Sequence, residues 1–473
     1  MKIENRAVRS TAIYFVGNVL SKIIVFFLLP IYTKYIPAAD MGYYDTSVTV
    51  ITLFSCVLFL DIGTTVMRFF LERKKEEGLR SVVTGGSCIF FLSSTAYFLL
   101  LLVFSAFLSF DNYIWIVFYG FLYALNDMTG YCTRAVGKNF DFAVAGVIQT
   151  LILATSNLVM IYLLEWGYVS LYISFCLSTV ISCTYMFFRA KLYRYISAHA
   201  WDASLFREML AFSLPLCVNS VAFWLLSSSS RVIVTYVLGT AAAGYLSIAG
   251  KFNQVLYLAS TCVQLTWQEA SFSHDNSDPE TGKYYSQIYR SYLKGVMLCV
   301  ALMIPAVKIG LAIFPSFIHE NYAAAIPMIP TALIGTGLAI VSLFLGTVFS
   351  SVKKNSVIFL STLLGAIVTV GSNLFCLLVL DLGPISANYA LMLGYLSSIS
   401  VRLILLNKYV SLKPSLDVWA CILPLLILAT LVFLRLGVVW NIIGFIGILV
   451  AGFFLFRKEL RVLLERIRKK KGS

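Results

Sequence analysis

Long apolar stretches separated by short polar segments dominate the chain. Most of them are close to the roughly 20 residues that a helix needs to cross about 30 Å of hydrocarbon. Fourteen such stretches centre near residues 21, 53, 93, 123, 153, 178, 220, 253, 303, 338, 368, 395, 427 and 447. This pattern predicts an all-α, polytopic membrane protein with about 14 transmembrane helices, the last two joined by a short loop at Gly437.

The apolar pattern also repeats itself. Lys138 precedes span five and Asn157 follows it within that span, while Lys354 and Asn373 recur at the same spacing 216 residues later, in span eleven. Two halves of six spans each would share one orientation in the membrane, as in transporters built from parallel repeats. Chance matching among apolar segments is the alternative interpretation.

The repeat predicts four segments along the chain. Residues 1–208 form an N-terminal lobe of six helices and residues 209–414 form a second lobe of six helices. Residues 415–456 add two transmembrane helices outside the repeat, and residues 457–473 form a basic tail.

Composition and charge agree with a membrane location. Of the 473 residues, 60% are hydrophobic and 12% are charged, whereas soluble domains carry about 25% charged residues. The net charge of +14 comes largely from Lys and Arg in alternate loops and in the tail. Because such residues are retained on the cytoplasmic side, we expect both termini in the cytoplasm. Basic residues spread over separate loops do not favour nucleic-acid binding.

The cysteines and histidines do not indicate a metal or a cofactor. All ten cysteines lie in or at the ends of apolar stretches, and the three histidines lie in predicted loops. Neither set has the paired spacing of a zinc site or the framework of a disulfide-rich protein. We therefore expect no metal and no cofactor.

Polar and cationic residues inside the predicted spans are candidates for a substrate cavity, because charge within a membrane is costly. Several of them recur at helical steps of three and four residues, which places them on one face. The predicted cavity residues are Asn18 and Lys22 in span one, Trp224 and Arg231 in span seven, and Lys251, Gln254, Tyr257, Thr261 and Gln264 in span eight. Snorkelling of the lysines to the headgroups is the alternative.

Two acidic residues lie towards the inner ends of their spans. They are Asp61 in span two and Asp127 in span four. They either couple transport to an ion or form structural pairs with a nearby arginine, Arg68 or Arg134, and the sequence leaves both interpretations open.

A cavity with Lys and Arg favours anions, and Tyr, Trp, Ser and Gln suit sugars, so the residues indicate a phosphorylated sugar as substrate. The sequence contains no GxSxG, HExxH or Walker-type motif. These motifs mark common hydrolases and nucleotide-driven proteins. We therefore expect a transporter and not an enzyme.

At this point the residues resemble a known family, the polysaccharide transporters or lipid-linked oligosaccharide flippases of the Wzx type in the MOP superfamily. The resemblance covers essentially the whole chain and depends on the order and spacing of several short motifs. They are Gly17-Asn18 to Pro30, Gly42-Tyr43, Leu60-Asp61-Ile62-Gly63 to Arg68-Phe69, Arg231, Gly244-Tyr245, Ala249-Gly250-Lys251, Asn321-Tyr322 and Lys354 to Asn373. Ser230 departs from the pattern, because an acidic residue often precedes the arginine that Arg231 matches.

The resemblance implies two six-helix lobes as in toxic-compound extrusion (MATE) transporters and translocation by alternating access. It also implies that undecaprenyl-diphosphate-linked oligosaccharide repeat units move from the inner to the outer leaflet of the bacterial cytoplasmic membrane, for O-antigen or capsule biosynthesis. Lys22, Arg231 and Lys251 would then hold the diphosphate or acidic sugars. Membrane lipids, a glycan polymerase and chain-length regulators are the implied partners.

Two other functions remain open from the sequence. A multidrug exporter of the same superfamily would prefer cationic substrates and should carry acidic residues in its cavity. A membrane glycan polymerase would be expected to carry a long outside loop, whereas the longest predicted one here lies near Pro315 to Pro327.

Overall fold

The structure is a computed structural model that describes residues 24, 26–73, 76–107, 111–273, 279–352, 354–410, 412 and 414–457. Over these residues the fold is all-helical, without a β-strand. Helices suit a bilayer because all their backbone hydrogen bonds form within one segment, whereas lipid offers no partners.

Sixteen α-helices follow one another along the described residues, with short 3₁₀ segments and one π-helical turn between some of them. Their bounds are α1 Leu29–Tyr35, α2 Ala38–Leu58, α3 Ile62–Glu72, α4 Glu76–Phe107, α5 Tyr113–Ala135, α6 Asn139–Leu158, α7 Val169–Arg189, α8 Ala203–Leu238, α9 Thr240–Lys251, α10 Asn253–Ser273, α11 Pro279–Ile313, α12 Ile329–Ser351, α13 Asn355–Leu378, α14 Ser386–Val410, α15 Leu416–Arg435 and α16 Val438–Leu455. The π-helical turn, Val159–Leu163, continues α6.

Eleven segments of the described chain are long and apolar enough to cross a membrane. The chain is therefore a multi-pass membrane protein, and the predicted fold class is confirmed. Three predicted spans are not among the eleven. Span four is α5, span eight is divided between α9 and α10, and most of span one lies in residues 1–23, outside the described part.

Two of the predicted spans are interrupted. In span two, α2 ends at Leu58. Leu60 and Asp61 then adopt positive φ angles of 55° and 49° before α3 begins. Non-glycine residues rarely occupy this left-handed region, so the turn is a locally strained break. Span eight is interrupted at Phe252. Apolar patterning predicts that a segment is buried in lipid but does not report such breaks.

Contacts divide the chain into two compact units. The first contains the described residues up to Ile248 together with Asn373–Pro384, and the second contains Ala249–Ser372 and the described residues from Ile385. This division differs from the predicted boundary at residue 208, because α8 packs against α2, α3 and α4 of the first unit. Compactness and sequence repetition are separate properties, so the repeat stays a prediction.

In the first unit, hydroxyl pairs join α2 and α3 to α8. The hydroxyl oxygens of Thr46 and Thr235 lie 2.6 Å apart, and those of Thr65 and Ser213 lie 2.7 Å apart. The start of α2 also packs closely on α9, where a Cβ atom added to Gly42 would lie 1.7 Å from the carbonyl oxygen of Thr240. Small residues permit this approach of two backbones, as is common between membrane helices.

The start of α8 is stabilised by its N-cap residue, Asp202. The carboxylate of Asp202 accepts hydrogen bonds from the backbone N–H groups of Ser204 and Leu205 and from the Ser204 hydroxyl. These donors, with the Ser204 hydroxyl foremost, hold the pKa of Asp202 below its ordinary value. The cap satisfies backbone donors that the first helical turn cannot pair.

In the second unit, α12 is the central helix. It lies in the apolar segment Glu320–Ser351, where 89% of the residues in an 18-residue stretch are buried, a larger share than in the other candidate spans of the described chain. It packs against α10, α11 and α14. Helices α15 and α16 pack on α11.

The asparagines of the predicted repeat make comparable contacts within the first unit. The side-chain amide of Asn157 donates to the Tyr32 hydroxyl at 2.9 Å, and that of Asn373 donates to the carbonyl oxygen of Ser230 at 3.3 Å. Both asparagines are buried, and the Oδ1 atom of each lacks a hydrogen-bond partner within the described residues. Asn157 therefore joins α6 to α1, and Asn373 joins α13 to α8. In each predicted half, the fifth span is thus bonded to the first.

Candidate functional site

Two of the predicted cavity residues, Trp224 and Arg231, lie on α8 and contact α2. Nη1 of Arg231 lies 3.3 Å from Oδ2 of Asp45, and Nε1 of Trp224 donates to the carbonyl oxygen of Thr49 at 3.0 Å. The Arg231 side chain is 40% exposed and the Asp45 side chain is 16% exposed. Arg231 can therefore still reach a ligand, but Asp45 balances part of its charge.

Asp45 supplies the carboxylate that the family motif would place at position 230, where this chain has Ser230. The expected acidic neighbour of the arginine is absent from α8 at that position, and a carboxylate reaches Arg231 from α2 instead. Sequence reasoning missed this pairing because the two residues are 186 positions apart.

Four further predicted cavity residues form a row along α10, here called the α10 polar row: Gln254, Tyr257, Thr261 and Gln264. Gln254 and Tyr257 are exposed, and the Thr261 hydroxyl donates to the carbonyl oxygen of Tyr257 at 2.7 Å. Nε2 of Gln264 donates to the Thr347 hydroxyl of α12 at 2.7 Å, while its Oε1 is buried without a partner among the described residues. The row thus presents the exposed amide of Gln254 and hydroxyl of Tyr257 on one helix face, while Gln264 ties the row to α12.

Lys251 is the last residue of α9, and the turn at Phe252 separates it from the α10 polar row. The predicted face that begins at Lys251 is therefore divided between two helices, because the helical period does not carry across the turn. Lys251 is partly exposed and adjoins the first turn of α10. Asn18 and Lys22 lie outside the described residues. The convergence of Lys22, Arg231 and Lys251 on one cavity stays a prediction.

The acidic residues Asp61 and Asp127 form no ion pair within the described part of the chain. Asp61 accepts a hydrogen bond from the Thr64 hydroxyl at 2.8 Å. Arg68, its suggested partner, instead lies 3.2 Å from Glu72 one turn along α3. The structural pairing of Asp61 with Arg68 is therefore wrong.

Asp127 likewise forms no ion pair at bonding distance with Arg134 among the described residues. The Arg134 guanidinium lies over the rings of Tyr131 and Phe142, at 4.4 Å and 5.0 Å from their centres. Asp127 instead approaches Gly63, where an added Cβ atom would lie 3.1 Å from its Oδ2. Neither Asp61 nor Asp127 therefore forms an ion pair at bonding distance within the described residues.

Arg402 on α14 is a buried cation that sequence reasoning did not single out. Its side chain donates to the hydroxyls of Ser361 at 2.9 Å, Ser342 at 2.9 Å and Thr362 at 3.0 Å, and to the carbonyl oxygen of Ser342. No carboxylate of the described chain pairs with it. The signal in the sequence was an arginine inside the apolar stretch near residue 395. Arg402 joins α12, α13 and α14 of the second unit.

Among the described residues, no group of three or more His, Cys, Asp or Glu could hold a metal ion. The candidate site residues named above carry amide, hydroxyl, cationic and carboxylate groups, and such groups can bind and release a polar ligand.

The sequence profile of a family described as Polysaccharide biosynthesis protein matches residues 7–272. No curated protein matches the sequence significantly.

Solved structures of the same fold cover most of the chain. The lipid II flippase MurJ in an inward closed conformation is similar, with a TM-score of 0.67 and 14% identity over 95% of this chain and 99% of that one. An inward-facing MATE multidrug transporter of the MOP superfamily gives a TM-score of 0.65 and 14% identity over 85% and 99%. A MOP superfamily transporter from Pyrococcus furiosus, described as having a binding pocket of reverse polarity, gives 0.56 and 15% over 86% and 96%. At these identities the likeness shows the fold alone.

Proposed function

Because the chain belongs to the polysaccharide biosynthesis protein family, we propose that it is a flippase for undecaprenyl-diphosphate-linked oligosaccharide repeat units. It moves them from the inner to the outer leaflet of the bacterial cytoplasmic membrane by alternating access. The units then serve the synthesis of a surface polysaccharide such as O-antigen or capsule, with a glycan polymerase and chain-length regulators as partners. Both termini lie in the cytoplasm.

The α10 polar row is the observation that carries this proposal. Gln254 and Tyr257 are exposed on a helix within a multi-pass membrane protein. An amide facing hydrocarbon would lose its hydrogen bonds at a cost of several kcal/mol, so this face is expected to line a water-filled pathway. Amides and hydroxyls match the hydroxyls of a glycan, and the tyrosine ring matches the apolar face of a sugar.

Charge supports an anionic substrate. Lys251 adjoins the α10 polar row in the second unit, and Arg231 retains 40% exposure beside Asp45 in the first. Cations in a poorly screened environment attract a diphosphate strongly. Outward movement of an anion from a negative cytoplasm also gains about 2.3 kcal/mol per charge per 100 mV.

A multidrug exporter of the same superfamily is the second candidate function. The unpaired carboxylates of Asp61 and Asp127 favour it, because acidic groups attract cationic drugs or coupling cations. The family match argues for the flippase, and a transport assay with both substrate classes separates the two.

The test uses the purified full chain in vesicles that contain a defined undecaprenyl-diphosphate-linked oligosaccharide. Access of an added glycosidase to the glycan measures its arrival in the outer leaflet. We expect the protein to accelerate this arrival, Lys251→Ala to reduce the rate sharply, and Lys251→Arg to retain more of it because the charge survives. Lys408→Ala is the matched control, since Lys408 is an exposed residue in the last turn of α14.

Efflux of a cationic dye from the same vesicles provides the opposing measurement. Dye efflux without movement of the lipid-linked glycan would overturn the flippase proposal in favour of the exporter. Equal rates for Lys251→Ala and Lys408→Ala, at equal protein levels, would remove Lys251 from the site.

A further inference from the structure

The second unit contains a cavity of about 610 Å³ bounded by α10, α11 and α12. Its walls are largely apolar, including Leu256 and Val263 of α10, Ile288 and Val296 of α11, and Ile340 of α12. Helices α10 and α11 touch only sparsely, whereas both pack on α12, so the space opens between the first two. The volume is typical of a small-ligand site.

The cavity is polar at one end. Tyr284, Gln287 and Ser291 line it along the first part of α11, which begins at Pro279, whereas Val296 and Cys299 line it further along the same helix. A ligand that matches this lining has a polar end beside the start of α11 and an apolar chain beyond it. The cavity therefore suits an amphiphile better than a free sugar.

A buried hydroxyl in the wall lacks a partner. Tyr292 lines the cavity and is 7% exposed, and its ring stacks on Phe344 with 4.4 Å between ring centres. Its hydroxyl group makes no hydrogen bond within the described residues. A buried unpaired hydroxyl is costly, so this group favours a ligand that brings an acceptor oxygen.

Helix α10 presents two different faces. Leu256, Ser260 and Val263 line the cavity. The α10 polar row is centred about 110° away around the helix, given 100° per residue. A molecule with a polar glycan diphosphate and a long apolar chain could therefore place its two parts on adjacent faces of one helix. A phospholipid has no glycan to place on the α10 polar row.

We propose that this cavity binds the isoprenoid chain of the lipid-linked substrate, in the segment next to the diphosphate. The ester oxygen of the chain accepts from the Tyr292 hydroxyl, and the isoprene units extend past Val296 and Cys299. This inference rests on the proposed function, because it takes the substrate to be a polyprenyl-linked glycan.

The test fills the cavity and compares two lipids. Val263→Trp places a large ring at the cavity wall, and Val255→Trp is the matched control, because both valines lie on α10, 49% and 41% exposed, and only Val263 lines the cavity. Native mass spectrometry of the full chain in detergent measures binding of the undecaprenyl-diphosphate-linked oligosaccharide used in the vesicle assay and of dioleoyl phosphatidylglycerol. We expect wild type and Val255→Trp to prefer the prenyl lipid, and Val263→Trp to bind it at least about tenfold more weakly.

Two outcomes overturn the cavity assignment. One is equal prenyl binding by Val263→Trp and Val255→Trp, and the other is binding of phosphatidylglycerol as tight as that of the prenyl lipid, which would make the cavity a general lipid site. The vesicle assay separates this failure from that of the function. If wild type translocates the glycan while the two variants behave alike, only the cavity proposal fails. If wild type does not translocate it, the proposed function fails and the binding comparison still decides the chain site.

Discussion

Replacing Asp45 by Asn should weaken the packing of α2 on α8, because the Arg231 guanidinium then loses its carboxylate partner. The two charged groups lie 3.3 Å apart, which corresponds to a gross attraction of about 5 kcal/mol at an effective dielectric constant of about 20. Desolvation and the 40% exposure of the Arg231 side chain reduce this value. We expect a net coupling of about 1–3 kcal/mol.

A double-mutant cycle measures this coupling directly. The free energies of unfolding of wild type, Asp45→Asn, Arg231→Gln and the double variant are obtained by titration with denaturing detergent. The matched control is the cycle of Arg68→Gln and Glu72→Gln, a pair 3.2 Å apart whose side chains are 56% and 58% exposed. That exposed pair should couple by no more than about 0.5 kcal/mol. A coupling at Asp45 and Arg231 no larger than in the control would refute the reasoning.

Three further predictions concern packing, buried charge and helix capping. Gly42→Ala should cost about 1–3 kcal/mol of unfolding free energy, because its Cβ would lie 1.7 Å from the Thr240 carbonyl oxygen. Gly146→Ala is the control and should cost nothing, because an added Cβ has no atom within 4 Å there. Equal costs would contradict the close backbone packing. Arg402→Met should change the unfolding free energy by less than about 1 kcal/mol. The four interhelical hydrogen bonds of Arg402 contribute about 0.6 kcal/mol each, and the buried charge costs roughly 2.5–3.5 kcal/mol, so the two effects nearly cancel. A loss above about 3 kcal/mol would show that the hydrogen bonds dominate. Asp202→Ala should destabilise the protein at neutral pH. The difference from wild type should shrink as the pH falls through the folded-state pKa of Asp202, which lies below its ordinary value of about 4, because the charged part of the cap is then lost. A pH-independent difference would show that the charge of the cap contributes nothing.

Much of the candidate site depends on distances that a sequence does not contain. The polar spacing along α10 was readable because residues three and four apart share a helix face. The partner of Arg231 could not be predicted from the sequence, because Asp45 lies on another helix, far away along the chain. For the same reason Asp61 and Asp127 could not be assigned, and the structure leaves both outside any ion pair with the described residues.

The sequence by itself determined that this chain is a helical, multi-pass membrane protein of a polysaccharide biosynthesis family. The free energy of transferring a helix into lipid is close to a sum over the hydrophobicities of about 20 consecutive residues, and this sum can be taken from the sequence alone. Only the tertiary structure decided where spans break, at Leu60-Asp61 and at Phe252, and which polar groups meet. It also decided that Arg402 is buried among hydroxyls and that a cavity opens beside α10. Those outcomes depend on which helix faces pack together, and lipid-facing and protein-facing apolar side chains look alike in the sequence.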